Sequence, residues 1–367
     1  MRRVALMWAA WSATILIVAS AAMRLPVANS SPWTAVVHAP PLARWDAVWY
    51  HSIAADGYHG AGGGRDANVG WYPLYPLLLR WTAALLRAPI LWTGIAISIA
   101  ALLPALILAA DLFAQWGGPG AAVPGIAALL LFPTSFYFAS VYSESLFLLT
   151  TVAAIWAARR RKWALAAAAG FAAALTRLPG VLLALPLTAY AARSPREDGR
   201  IGAVAAAVAP LAGAAVFPVY LWSRWGDPLL YLHDRLVGSS VSPKPVWALA
   251  VAIAREARAR LGAGGRIDDP SFVFQIAAAI LFSGLTVALL RRRLVPEGLY
   301  VGATLLLLLD SGTLAGFDRY ALVLFPGFFV LSEFLRHRPA LAFGYVVAST
   351  GLGISFLHRF VHWFMVS

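Results

Sequence analysis

The sequence predicts an all-α polytopic membrane protein: a single integral membrane domain over 1–367, with about eleven transmembrane helices and interfacial helices in its outer loops. Composition is the first reason. Of 367 residues, 61 % are hydrophobic and 12 % are charged, against about 45–50 % and about 25 % in soluble domains. The second is a set of long uncharged stretches: 4–23, 90–110, 117–143, 201–223, 271–290 and 339–357. A spanning helix needs about 20 mostly apolar residues, and these runs supply it. The third is where the basic residues fall. Lys and Arg number 29 and Asp and Glu 16, a net charge of +13. Much of that excess sits in compact clusters beside apolar segments, the pattern of cytoplasmic loops. The positive charge is therefore read as topology and not as a nucleic-acid surface. The chain has no cysteine, which excludes disulfides, thiol catalysis and Cys-ligated zinc or iron–sulfur sites.

Taken in order, the first span is 4–24, behind Arg2 and Arg3. Ala19-Ser20-Ala21 is similar to a signal cleavage site. The apolar run exceeds the roughly 7–15 residues of a signal h-region, so a retained anchor is favoured over a cleaved signal. The first outer loop is 25–89. Within it, 73–87 is apolar but carries Arg80 and Arg87. It is read as an amphipathic helix on the outer interface; the alternative is a twelfth span, which would invert every later loop. The next spans are 90–112, 119–138 and 140–158, then the inner cluster Arg159-Arg160-Arg161-Lys162, then 163–177 and 179–193. Arg193, Arg196 and Arg200 lie inside before the span 201–222. The second outer loop, 223–270, includes a predicted basic helix over 246–260 with Arg255, Arg258 and Arg260. The spans 271–290, 295–310, 320–335 and 340–360 follow, with Arg291-Arg292-Arg293 and Arg336/Arg338 inside, a short outer loop from Asp310 to Arg319, and the C-terminus outside. The inner loops leave no room for a cytosolic nucleotide-binding domain, and no P-loop is present. Chemistry is therefore expected on the outer face, extracytoplasmic and, in a bacterial cell, on the plasma membrane.

The richest outer stretch is Arg44–Pro76. Asp46 sits among Trp45, Trp49 and Tyr50 in a predicted short interfacial helix. Trp and Tyr favour headgroup depth, where a carboxylate can meet both a lipid-linked phosphate and an acceptor hydroxyl, and serve as general base. The plainer reading is a helix cap or an ion pair with Arg44. The glycine run 60–64 reads as a flexible lid or linker. Glu144 lies between two spans at the outer face, as an exposed turn carboxylate or an interfacial anchor. Arg177, near the outer end of a span, can snorkel or fork onto a phosphate. Asp310 and Asp318-Arg319-Tyr320 share that face. His51 and His59, and His358 with His362, form no recognisable metal motif; no metal and no cofactor is expected.

Several short motifs in order carry a family resemblance: Arg44-Trp45-Asp46, Ile53-Ala54…Gly57-Tyr58, Tyr72-Pro73-Leu74-Tyr75-Pro76, Phe132-Pro133…Ala139…Tyr142-Ser143-Glu144, Thr176-Arg177…Gly180, Trp225-Gly226-Asp227-Pro228, and Arg319-Tyr320 before Phe325-Pro326. Together, over 44–326, they resemble the PIG-V-like mannosyltransferases, relatives of GPI mannosyltransferase II in the GT-C superfamily. Trp71-Tyr72 departs from the Phe-Phe pair expected there. The resemblance implies a GT-C-like bundle and a glycosyltransferase that takes a sugar, expected to be mannose, from a polyprenyl-phosphate donor. The acceptor would be a glycolipid, a lipid-linked glycan or a protein, with no nucleic acid involved. Asp46 then stands where the family's catalytic acid is expected. Arg177 and Arg319 would stabilise the leaving phosphate, Glu144 would orient acceptor or sugar, and Tyr72 and Tyr75 would line the lipid-facing entrance. The rival class is a transporter or lipid flippase, which the spans and intramembrane charges also fit. No convincing internal repeat of the transporter kind is present. A third class, a non-catalytic membrane subunit, leaves the surroundings of Asp46 without a chemical purpose.

Overall fold

The computed structural model describes residues 1–25, 39–60, 67–194, 199–233, 270–310 and 313–364, with 251, 254, 258 and 366. The structure is 80 % helical, and no strand occurs among the described residues. The glycine run beyond Gly60, Arg196 and nearly all of the predicted helix 246–260 lie outside the described residues.

Five helices are long and apolar enough to cross a membrane: α1 (Arg2–Ala22), α4 (Ile90–Gly117), α9 (Arg200–Trp225), α10 (Pro270–Arg291) and α14 (Pro339–Val361). The others are shorter: α2 (Asp46–Asp56), α3 (Leu74–Leu86), α5 (Ala122–Leu130), α6 (Glu144–Arg159), α7 (Trp163–Thr176), α8 (Ala184–Ala192), α11 (Val295–Leu309), α12 (Phe317–Leu322) and α13 (Phe325–Arg336). Three stretches expected as unbroken spans are interrupted. The stretch 119–138 runs through a 3₁₀ turn, α5, a turn at Phe132-Pro133 and a second 3₁₀ turn, Ser135–Phe138. The stretch 179–193 begins as the 3₁₀ turn Leu178–Leu183, with Pro179 in its first turn. The stretch 320–335 breaks between α12 and α13, where Pro326 starts a new helix. Proline supplies no N–H and disfavours helix in the residue before it, so each break falls where the ladder cannot continue.

Helices pack closely because their facing residues are small. The alanine-rich α7 lies against α6 and α9. A Cβ at Gly213 of α9 would come 2.4 Å from the Phe171 carbonyl oxygen, so only glycine allows that approach, as is usual where apolar helices meet without a hydrophobic driving force. Many helices keep large apolar side chains on their outer faces, among them Trp222, Ile280 and Phe343. Such faces suit lipid rather than water.

The bundle has two chemically distinct ends. At one end, Met1, Arg2 and Arg3 share a cleft with Asp111, late in α4. Asp111 pairs with Arg160 at 2.5 Å, Tyr190 of α8 donates to Glu297 at the start of α11, and Arg336 reaches toward Gly120. At the other end, His362 meets the Ala22 carbonyl at 3.0 Å, and Ser98 near the start of α4 donates to the Tyr142 carbonyl at 3.2 Å. Helix α1 thus delivers the chain to this second end and α4 leaves from it. Helix α3, between them, packs on α2, α4 and α7. Its buried stripe is Tyr75, Pro76, Leu79 and Ala83, while Arg80, Trp81, Leu85 and Arg87 are exposed.

Candidate functional site

The second end holds four charged side chains drawn from four segments. Asp46 sits in the first turn of α2 and its backbone N–H donates to the Tyr142 hydroxyl at 3.2 Å. The helix begins abruptly: Trp45 before it holds φ +53° and ψ −113°, an arrangement that costs on the order of 1–3 kcal/mol in a non-glycine residue and persists only where neighbours fix it. Arg44 does the fixing. It is 2 % exposed, and its guanidinium donates to the carbonyls of Val361 at 2.8 Å, Pro40 at 2.7 Å and Ala43 at 3.0 Å. It also lies 5.2 Å from the Trp363 ring. Burial lowers its pKa to about 10, so it remains charged at neutral pH.

The expected alternative partner of Asp46, Arg44, is thus spent on carbonyls and does not touch it. Asp46 pairs instead with Arg319 of α12, Nη1 to Oδ2 at 2.6 Å. The Nε of Arg319 lies 3.3 Å from Oε1 of Glu144, and the same oxygen accepts from Arg177. The result is a continuous chain, Asp46–Arg319–Glu144–Arg177. Two guanidiniums balance two carboxylates, which makes the burial of four charges tolerable. Arg177 also stacks 4.3 Å from the Tyr320 ring, and Arg319 lies 5.3 Å from that of Tyr142, contacts that suit a guanidinium's flat face.

Local sequence explains each placement. Glu144 opens α6, where a carboxylate faces the helix's positive end. Arg177 falls just after α7 in extended backbone, held by a turn in which the Gly180 N–H donates to the Arg177 carbonyl at 2.9 Å. A Cβ at Gly180 would sit 2.4 Å from the Ala173 carbonyl oxygen, which is why the motif ends in glycine. Arg319 lies on α12, whose preceding Gly316 takes φ +77°.

Asp46, Arg177 and Arg319 border a cavity of about 290 Å³. Leu232, Leu307 and Leu308 form part of its apolar wall. Tyr72 lies in the wall beside Trp71. Buried Asn68 shapes that stretch, accepting from the His59 N–H at 2.8 Å and donating to the Gly57 carbonyl at 3.0 Å. Asp310 borders the cavity too.

Two expected site residues are elsewhere. Tyr75 is fully buried and away from the cavity wall; its hydroxyl is 3.0 Å from Ser98 Oγ. It lies on the packed stripe of α3, so it seats that helix and lines no entrance. Glu144 is also fully buried and stands behind the two arginines, where it holds them rather than a sugar. Asp318 turns from the cavity toward Gln275, 3.5 Å away. Tyr50 was read only as an interfacial aromatic, yet it lines the cavity one helical turn beyond Asp46, and the i, i+4 spacing carries that signal. Its hydroxyl pairs with Ser143 at 3.0 Å; burial pushes its pKa well up, with the Glu144 charge adding to the effect, so it stays protonated and able to donate. No group of three metal-ligating side chains occurs among the described residues.

The arrangement places a carboxylate, two phosphate-capable guanidiniums and an apolar wall around one cavity. No known protein family and no curated protein matches this chain.

Proposed function

We propose that this protein is a membrane glycosyltransferase that moves a sugar, mannose in our reading, from a polyprenyl-phosphate sugar to a hydroxyl acceptor, with inversion at the anomeric carbon. The observation that carries the reading is the meeting of Asp46 with Arg319 and Arg177 at a cavity whose wall is also apolar. The motif resemblance to the PIG-V-like mannosyltransferases of the GT-C superfamily supports it, since Asp46, Tyr72, Thr176, Arg177, Arg319 and Tyr320, all from the motifs that carry it, line this cavity.

In this reading Asp46 takes the proton of the acceptor hydroxyl. The acceptor oxygen bonds to the anomeric carbon as the bond from that carbon to the phosphate oxygen breaks. The electron pair leaves with the polyprenyl phosphate, and the growing charge is met by Arg177 and Arg319, already oriented by Glu144. Leu232, Leu307 and Leu308 contact the start of the prenyl chain; the rest stays in the bilayer, where each buried CH₂ contributes about 0.8 kcal/mol. The passages α1, α4, α5 with the turn after it, α6, α7, α8 with the turn before it, α9, α10, α11, α12 with α13, and α14 are then the eleven spans, with the cavity on the extracytoplasmic face.

The test is transfer from labelled polyprenyl-phosphate mannose to a membrane-extract acceptor panel, comparing wild type with Asp46→Asn. Asparagine keeps the shape and loses the base, so transfer should fall by about 10²–10⁴-fold while the protein remains folded. Transfer near the wild-type rate by the variant removes Asp46 as base. Absence of transfer by wild type from any lipid-linked sugar, with transport of the lipid instead, favours the flippase class.

A further inference from the structure

The carboxylate assigned as base and the phosphate assigned as leaving group both require Arg319. Nη1 of Arg319 is 2.6 Å from Asp46, and among the described residues Arg319 and Arg177 are the cationic side chains on the cavity wall. The four-membered chain is electrically balanced before any ligand arrives. An incoming phosphodiester adds one negative charge and competes with the two carboxylates for guanidinium N–H groups. For it to take a donor already paired to Asp46 or Glu144, that carboxylate must yield.

The two carboxylates are not equally free to do so. The Glu144 side chain is 1 % exposed and is held by both arginines. The Asp46 side chain is 25 % exposed, is held by Arg319 alone, and borders the cavity. Moving Glu144 would strand two buried cations, which is costly. Moving Asp46 exposes an already half-buried carboxylate to the cavity and costs little.

We propose that the donor phosphate binds by exchange: it displaces Asp46 from Arg319, and Asp46 is released as an active base only by that displacement. Arg319 is then more than an electrostatic partner for the leaving group. Without donor its Nη1 occupies Oδ2 of Asp46. With donor it is paired to phosphate, and both oxygens of Asp46 are open to the acceptor hydroxyl. The donor must therefore bind before the acceptor can be deprotonated. Proton balance is preserved: the acceptor's proton ends on Asp46, and polyprenyl phosphate takes the bonding electrons away. The inference rests on the proposed donor class and concerns how that donor is received.

Binding without turnover tests it. The probe is a short-chain polyprenyl methyl phosphate, a diester with one negative charge, and the control is the uncharged polyprenol of the same length. Both are titrated against the full chain in nanodiscs. Because Asp46 competes for Arg319, Asp46→Asn and Asp46→Ala should bind the diester more tightly than wild type, by about tenfold for one charge-assisted hydrogen bond relieved of competition, equivalent to 1.4 kcal/mol. Polyprenol binding should not change, and Arg319→Gln should lose the preference for the diester. Two variants are used so that a folding defect in one leaves the other to decide. If wild type prefers the diester and both Asp46 variants bind it equally or more weakly, exchange is overturned while the donor class stands. If wild type does not distinguish diester from alcohol, the phosphate-lipid donor itself is wrong and exchange falls with it.

Discussion

Arg44 and Arg319 show how little a side chain's type says about its task. Both are arginines at one end of the bundle, within reach of Asp46 in sequence or in space. Arg44 is two residues from Asp46 yet spends its donors on backbone carbonyls, including that of Val361 in α14; Arg319, 273 positions away, takes the carboxylate. Their substitutions should differ in kind. Arg44→Gln strands buried carbonyls, each worth about 1–3 kcal/mol, so apparent stability in detergent should drop by roughly 3 kcal/mol, with activity per folded molecule retained. An unchanged melting temperature would show that the Arg44 carbonyl bonds do not hold α2 in place. Arg177→Lys and Arg319→Lys keep the charge and lose the planar fork. For either variant kcat/KM with a polyprenyl-phosphate donor should fall about 10- to 100-fold, with thermal stability little altered; unchanged kinetics in both would return them to simple interfacial anchors. The sequence singled out Asp46, Arg177 and Arg319 because each stands in a compact motif, and the structure brings the three to one cavity. It could not reveal that Arg319 rather than Arg44 is the partner, because that choice depends on α14 lying beside the stretch before α2. It also misplaced Tyr75, whose role is fixed by which stripe of α3 is buried.

At the scale of elements, α3 decides most. Its 13 residues are apolar enough to be mistaken for a crossing, and the distinction rests on the alternation of buried and exposed positions. Tyr75, Leu79 and Ala83 are buried, and Arg80 and Arg87 are exposed. That spacing fits the interfacial helix expected from the sequence. The ends of α3 should therefore face the same side of the membrane. The chain has no native cysteine, so Arg80→Cys and Arg87→Cys report cleanly. Both should react with a membrane-impermeant maleimide added to the outer face of intact cells, and Arg160→Cys should not. Labelling of Arg80→Cys and Arg87→Cys from opposite sides would make α3 a span. The helix breaks at Phe132-Pro133 and Leu324-Phe325-Pro326 were less legible. Hydropathy runs smoothly through both, and only the backbone demands of proline mark where the helices stop.

The whole molecule is polarised from one end of the bundle to the other, and charge is what polarises it. Arg2, Arg3, Arg160 and Arg336 collect at one end around Asp111 and the start of α5, and the paired charges of the cavity lie at the other. This alternation follows from helix lengths and basic clusters that the sequence displays openly, because lipid leaves the chain few other ways to satisfy its backbone. The lateral order of the helices was not legible: the contact of α7 with α9 depends on a glycine meeting a carbonyl, which no periodicity announces. If the basic end is cytoplasmic, as the positive-inside rule demands, reporter fusions near Arg161 and Arg292 should both score inside, and one at Asp310 should score outside. The same result would place the cavity on the side where no nucleotide sugar is present, and a lipid carrier would have to bring the donor. Fusions at 161 and 292 that both score outside would turn the protein over and put the Asp46–Arg319 pair in the cytoplasm. A nucleotide-linked donor would then become accessible, and transfer from a nucleotide sugar in a reconstitution free of lipid carrier is the reaction to measure.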